Sequence, residues 1–141
     1  MSTEQSAVPA GHKKTILIVD DEPDIRKLVG AMVTQFGYNA LTADGGEHAL
    51  TLYKKHKESI ELLITDVVQP GLSGPMLADK LTALQPDLKV LYMSGYDNTH
   101  VVQSYVVERG HALLPKPFTV EQLQSKMREV LQPTGRSNAG S

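Results

Sequence analysis

The sequence contains no cysteine, and several other features of common protein classes are missing as well. Without cysteine, disulfide bonds, thiolate catalysis and cysteine-based zinc sites are excluded. No apolar run is long enough to cross a bilayer, and the first 14 residues hold no hydrophobic segment like that of a secretory signal. The net charge is −2, whereas nucleic-acid-binding domains are usually strongly basic. We therefore expect a cytoplasmic protein that binds neither nucleic acid nor membrane directly.

The length and composition are those of one globular domain. The chain has 141 residues, of which 40% are hydrophobic and 21% are charged, and this is enough for one core. Residues 1–14 and 132–141 are mostly small and polar. We expect these two segments to be flexible tails on a folded unit that comprises residues 15–131.

Short apolar runs alternate with amphipathic helical patterns between the two tails. We predict strands at about 15–19, 39–42, 62–66, 89–93 and 112–114. We predict helices that begin near Pro23, Gly46, Gly74, Thr99 and Val120. Parallel strands need crossover connections, and alternating helices supply them. The pattern therefore predicts an α/β fold, with one doubly wound sheet of five parallel strands and five helices.

Acidic, hydroxyl and lysine side chains follow the ends of these strands. They are Asp20, Asp21, Asp66, Ser94 and Lys116. The carboxyl ends of parallel strands lie at one edge of the sheet, where α/β proteins bind ligands. Three carboxylates repel one another unless a cation lies among them, and oxygen ligands of this kind suit Mg²⁺. A lysine and a hydroxyl beside them complete what phosphoryl transfer to a carboxylate requires.

Each of these residues also has a simpler interpretation when it is taken alone. The Asp20-Asp21 pair can be an acidic run that caps a helix. Asp66 can be a turn residue before a proline, Ser94 can belong to an ordinary loop, and Lys116 can be a solvated charge. Their joint arrival at one edge of the sheet favours a common site.

Four motifs, in this order, resemble the receiver domain of two-component response regulators. They are Ile-Leu-Ile-Val-Asp-Asp-Glu-Pro (16–23), Leu-Ile-Thr-Asp-Val-Val-Gln-Pro-Gly-Leu-Ser-Gly (63–74), Leu-Tyr-Met-Ser-Gly-Tyr (91–96) and Pro-Lys-Pro-Phe (115–118). The third motif is particularly similar to receivers attached to hybrid histidine kinases. The resemblance extends from about Thr15 to Leu131 and implies a flavodoxin-like sheet in the strand order 2-1-3-4-5.

The resemblance also implies a function and a set of partners. Asp66 would accept a phosphoryl group from a sensor histidine kinase or a histidine phosphotransfer protein, in a reaction that needs Mg²⁺. A change of conformation would then signal to a downstream protein target. The domain would catalyse only its own phosphorylation and a slow autodephosphorylation, so we do not expect an enzyme in the usual sense.

Residue roles follow from the same resemblance. Asp21 would bind Mg²⁺ directly and Asp20 would help through water, while Asp66 and the backbone carbonyl of Val68 would complete the protein ligands. Ser94 and Lys116 would contact the phosphoryl oxygens. The Lys116–Pro117 peptide bond would be cis, a conformation that is realistic only before proline.

The sequence departs from the family pattern near the site. Leu113 stands three residues before Lys116, where the family usually has Phe or Tyr, so an aromatic relay at this position is unavailable. Val68 and Tyr96 are apolar or bulky, and we expect them to hinder an attacking water and prolong the phosphorylated state. We expect the signal to leave through the loop after Ser94 and the helix from about Thr99 to Glu108.

Two alternatives belong to other functional classes. An aspartyl-phosphate hydrolase of the haloacid dehalogenase kind needs a second aspartate two residues after the nucleophile, and Val68 occupies that position. A receiver-like interaction module that is never phosphorylated would not need the acidic pair, Asp66, Ser94 and Lys116 together. A nucleotide-binding domain is disfavoured because no Gly-rich phosphate loop follows any strand.

Overall fold

Five parallel strands form a single sheet in the computed structural model, which describes residues 14–68, 71–95 and 110–131. The strands are β1 (Thr15–Val19), β2 (Asn39–Ala43), β3 (Ile60–Asp66), β4 (Lys89–Ser94) and β5 (Ala112–Pro115). Their order is β2-β1-β3-β4-β5, and every neighbouring pair is parallel. The predicted fold class and strand order are therefore confirmed.

Four helices are present among the described residues. They are α1 (Pro23–Gln35), α2 (Gly46–His56), α3 (Gly74–Leu84) and α4 (Val120–Leu131). The further helix that was predicted at about 99–108 lies outside the described residues, as do the segments 1–13 and 132–141. Within the described ranges, no helix is long and apolar enough to cross a membrane.

The central strand β3 is covered on both of its faces. Leu63 and Ile64 are adjacent in the sequence and both are completely buried, but they belong to two different apolar clusters. Leu63 shares its cluster with residues of α2 and α3: Ala49, Tyr53, Leu77 and Leu81. Ile64 shares its cluster with residues of α1 and α4: Val29, Val33, Leu123 and Met127. Two layers of helices therefore enclose the sheet and hold its carboxyl edge in place.

Helix ends are fixed by local sequence signals. α1 begins at Pro23, whose missing N–H costs nothing there, and the chain leaves α1 at Gly37 with a φ of 100°. Before α4, Thr119 Oγ1 accepts a hydrogen bond from the Gln122 N–H, and Gln122 Oε1 accepts one from the Thr119 N–H. This reciprocal pair is a capping box, and it fixes the start of α4.

The structure predicts large losses of stability for two neighbouring substitutions in β3. Leu63→Ala and Ile64→Ala each remove a fully buried side chain, so each should lower the free energy of unfolding by about 2–5 kcal/mol. Glu61→Ala, on the same strand but exposed, is the control and should change it little. Denaturant unfolding measures all three, and a small loss for either buried residue would show that one face of β3 is open.

Candidate functional site

Three side chains meet at the carboxyl edge of the sheet. Asp20 directly follows β1, Asp66 is the last residue of β3, and Lys116 directly follows β5. The Lys116 Nζ atom lies 3.3 Å from Asp66 Oδ2 and 3.4 Å from Asp20 Oδ2. The Asp20 side chain is fully buried, while those of Asp66 and Lys116 are 14% and 19% exposed. The lysine therefore bridges two carboxylates, and one of them faces the surface.

A third carboxylate completes an acidic cluster beside the lysine. One carboxylate oxygen each from Asp20, Asp21 and Asp66 lies within 4.8 Å of the other two, and Asp21 is exposed. Two oxygens on opposite sides of one Mg²⁺ ion are about 4.2 Å apart, so small side-chain movements would let these groups share an ion. Three carboxylates and one ammonium carry a net charge of −2 when ionised, which a divalent cation balances. Ligand type, spacing and charge all fit Mg²⁺.

Val68, the remaining predicted ligand, lies in the turn that follows β3. Val68 is 59% exposed and so lies at the surface, two residues beyond Asp66. The participation of its backbone carbonyl stays a prediction. Tyr96, which the sequence also placed near the site, lies outside the described residues.

Asp20 is held by neighbours on its own chain segment. Its Oδ1 atom accepts a hydrogen bond of 2.9 Å from the Glu22 N–H, and its backbone carbonyl accepts one of 2.8 Å from Arg26 Nη1. The sequence reading missed Arg26. A cation six residues after Asp20, in the first turns of α1, was the available signal. Arg26 therefore ties α1 to the end of β1, while the Glu22 N–H holds the buried carboxylate.

The charges of the site perturb one another. Burial raises the pKa of the Asp66 carboxyl above its usual value of 3.8; the Lys116 ammonium opposes this and Asp20 adds to it. Burial lowers the pKa of the Lys116 amine, but the attraction of Asp66 and Asp20 outweighs this, and the pKa is raised. Lys116 is therefore a cation at neutral pH. The ionised form of Asp66 is less stable than the ionised form of a free aspartate.

Ser94 reaches the same edge of the sheet as the last residue of β4. It is 1% exposed, and its hydroxyl donates a 3.0 Å hydrogen bond to the Gly95 carbonyl. Its own carbonyl accepts a 2.8 Å hydrogen bond from the Lys116 N–H, which joins β4 to the segment after β5. The Lys116–Pro117 peptide bond is cis, as predicted. Leu113 lies in β5 opposite Tyr92 of β4 and is partly buried.

A flavodoxin-like sheet whose central strand ends in an aspartate, with two further acids and a lysine around it, defines the receiver class of proteins. Residues 16–128 match the family model of the response regulator receiver domain. The chain belongs to this family, whose members act in two-component signalling and interact with histidine kinases or phosphotransfer proteins. The match does not favour the hydrolase or the interaction module that is never phosphorylated.

Individual relatives agree with this assignment. The chain is 28% identical over 128 residues to sensor kinase CckA of Brucella abortus (strain 2308), covering 91% of this chain but 14% of that kinase. It is 29% identical over 118 residues to the response regulator receiver protein CpdR of the same organism, covering 84% of this chain and 97% of CpdR. The chain therefore spans a small part of some curated relatives and nearly all of others.

Solved structures are similar as well. The receiver domain from the hybrid histidine kinase CckA is 30% identical with a TM-score of 0.70, and the match covers 84% of this chain and 99% of that one. The chemotaxis protein CheY4 of Vibrio cholerae is 25% identical with a TM-score of 0.74, at the same two coverages. Both structures support the receiver fold across most of the chain.

The raised pKa of Asp66 predicts that Asp66→Asn stabilises the metal-free protein at pH 7. The folded state binds the Asp66 proton more tightly than the unfolded state, so ionised Asp66 opposes folding above its folded-state pKa. The gain should shrink as the pH falls through that pKa and should vanish below 3.8, where both states are protonated.

Denaturant unfolding in chelator-treated buffer at several pH values measures this effect. Glu58→Gln removes the same charge from an exposed position and is the matched control, for which we expect little change. A loss of stability in Asp66→Asn at pH 7 would contradict the electrostatic account of the site.

Proposed function

We propose that this chain receives a phosphoryl group on Asp66 from the phosphohistidine of a sensor histidine kinase or of a histidine phosphotransfer protein. The observation that carries the proposal is the Lys116 ammonium, 3.3 Å from the Asp66 carboxylate at the end of the central strand. The family assignment supports it, because receiver domains interact with partners of this kind. Asp66 is partly exposed, so a donor can reach it, whereas Asp20 is fully buried.

The chemical step needs a carboxylate nucleophile and a place for the phosphoryl charge. A carboxylate oxygen of Asp66 forms a bond to phosphorus, the bond from phosphorus to the histidine nitrogen breaks, and the electron pair stays on that nitrogen. Lys116, held between Asp20 and Asp66, is positioned to donate hydrogen bonds to the phosphoryl oxygens. Its raised pKa keeps it charged throughout.

Asp20, Asp21 and Asp66 would hold Mg²⁺, together with the backbone carbonyl of Val68. When bound, the ion supplies positive charge that offsets the charge of the phosphoryl oxygens. Asp21 is exposed, so an ion can reach its carboxylate directly, as a direct ligand requires. The water-mediated role of the fully buried Asp20 stays a prediction. Asp66 has to be ionised for both ion binding and attack, so acid should suppress both.

The response to phosphorylation would begin at Ser94. A phosphoryl group shifts a conformational equilibrium only through contacts that differ between the two states. The Ser94 hydroxyl now donates to Gly95, so turning it towards a phosphoryl oxygen on Asp66 would release that carbonyl and change the loop after β4. We propose that this loop carries the signal to a downstream protein target.

The remaining parts of the proposal concern the whole chain. The receiver unit comprises residues 15–131 with tails at 1–14 and 132–141. Its only catalytic activities are its own phosphorylation and a slow loss of the phosphoryl group. A location in the cytoplasm remains a prediction.

Incubation with acetyl phosphate and Mg²⁺ should add one phosphoryl group to the chain, and intact mass spectrometry measures this. Asp66→Asn keeps the shape of the side chain but removes the nucleophile, so the added mass should be absent. A chelator should have the same effect on the native chain, because the acidic cluster would then lack its ion.

Asp44→Asn is the control for this experiment. Asp44 is also an aspartate just beyond a strand, β2, but it is exposed and bonded to His48 rather than to a lysine. This variant should be phosphorylated as the native chain is. Phosphorylation of Asp66→Asn to the native extent would remove Asp66 from the proposal.

A further inference from the structure

The main chain of Asp66 lies one residue beyond the paired part of β1 and β3. The pairing of β1 with β3 ends at Val19 and Thr65, so the Asp66 carbonyl is one residue beyond it. Thr65 is fully buried, and its hydroxyl donates a 3.0 Å hydrogen bond to that carbonyl. The hydroxyl therefore supplies a donor to a peptide group where the β1–β3 ladder no longer does.

A glycine of the neighbouring helix α3 lies very close to the same peptide group. Gly74 is the first residue of α3, and a Cβ atom added to it would overlap the Asp66 carbonyl oxygen. The same Cβ would lie 3.1 Å from the carbonyl carbon of Asp66 and from the Cα atom of Val67. These neighbours are backbone atoms, so they cannot move aside as the end of a flexible side chain can.

The main chain at Gly74 is also held in place by hydrogen bonds. Its N–H donates a 3.0 Å hydrogen bond to the Val67 carbonyl, and Ser73 caps the helix that begins there. Its φ is not positive, in contrast to those of Gly37, Gly71 and Gly110. The need for glycine at position 74 therefore comes from space at the Asp66 peptide group and not from backbone conformation.

We propose that Thr65 and Gly74 are positioning residues of the phosphoacceptor. Thr65 bonds the Asp66 carbonyl and Gly74 lets α3 pack directly on it, and together they fix the main chain from which the carboxylate projects towards Lys116, Asp20 and Asp21. The expected effect of these residues on phosphorylation rests on the proposed function. Their expected effect on the position of the Asp66 carboxylate does not.

Gly74→Ala tests the close packing, with Gly45→Ala as the matched control. A Cβ on Gly45, which precedes α2, meets nothing within 4 Å, so this variant should behave as the native chain does. In Gly74→Ala, the maximum rate of phosphorylation by acetyl phosphate should fall on the order of 10- to 100-fold, with the half-saturating concentration little changed. Calorimetric titration should show weaker Mg²⁺ binding.

A metal-free readout separates this inference from the proposed function. In crystals grown without Mg²⁺, the Lys116 Nζ to Asp66 Oδ2 distance in Gly74→Ala should differ clearly from that in the native chain, which is 3.3 Å in the present structure. If the native chain takes no phosphoryl group but this distance changes, the proposed function fails and the positioning role stands. If the native chain is phosphorylated and Gly74→Ala matches it in rate, Mg²⁺ affinity and distance, the positioning role is overturned.

The Thr65 series decides the matter if Gly74→Ala does not fold. Thr65→Val keeps the volume but removes the hydroxyl, and Thr65→Ser keeps the hydroxyl. The loss of one hydrogen bond should lower the maximum rate and the Mg²⁺ affinity about fivefold in Thr65→Val, and Thr65→Ser should restore both. Thr82→Val removes a hydroxyl bonded to the Ala78 carbonyl in α3 and is the control. Equal values in the Val and Ser variants would overturn the role of Thr65.

Discussion

The burial of neighbouring carboxylates at one edge of the sheet is the constraint on which the site depends. Asp20 is fully buried, Asp66 is partly buried, and the Lys116 ammonium lies between them. The pKa of Asp66 is raised because burial opposes its charge more than Lys116 supports it. The free protein therefore holds excess negative charge that a divalent cation can relieve. Binding of a cation or a phosphoryl group changes this balance of charge, so the site can respond to either ligand.

The fold makes this arrangement possible because it leaves the edge residues little freedom. Helices cover both faces of β1 and β3, and every strand of the sheet is parallel, so all five strands end at this edge. Several short contacts then fix individual groups: Arg26 holds the Asp20 carbonyl, and the Ser94 carbonyl accepts the Lys116 N–H. The buried core supplies the rigidity, and the edge supplies the chemistry.

The sequence was sufficient to predict the sheet, the strand order through a resemblance, and the meeting of Asp20, Asp21, Asp66 and Lys116. These features follow from hydrophobic periodicity and from the direction of parallel strands. The sequence was not sufficient to predict the contacts that side chains make with backbone groups. Thr65 and Gly74 act on a peptide group, which every residue carries, so the pattern of side chains does not reveal their role. The orientation of the Ser94 hydroxyl is likewise a choice among rotamers that the sequence does not specify.

The most direct test is a crystal structure grown with beryllofluoride and Mn²⁺, an anomalous scatterer that stands in for Mg²⁺ and takes the same oxygen ligands. The account predicts one metal ion bound by the carboxylates of Asp21 and Asp66, beryllofluoride on an Asp66 oxygen, and the Lys116 ammonium in contact with a fluorine. A metal ion bound elsewhere, or beryllofluoride absent from Asp66 while the acidic cluster is ordered, would contradict the account.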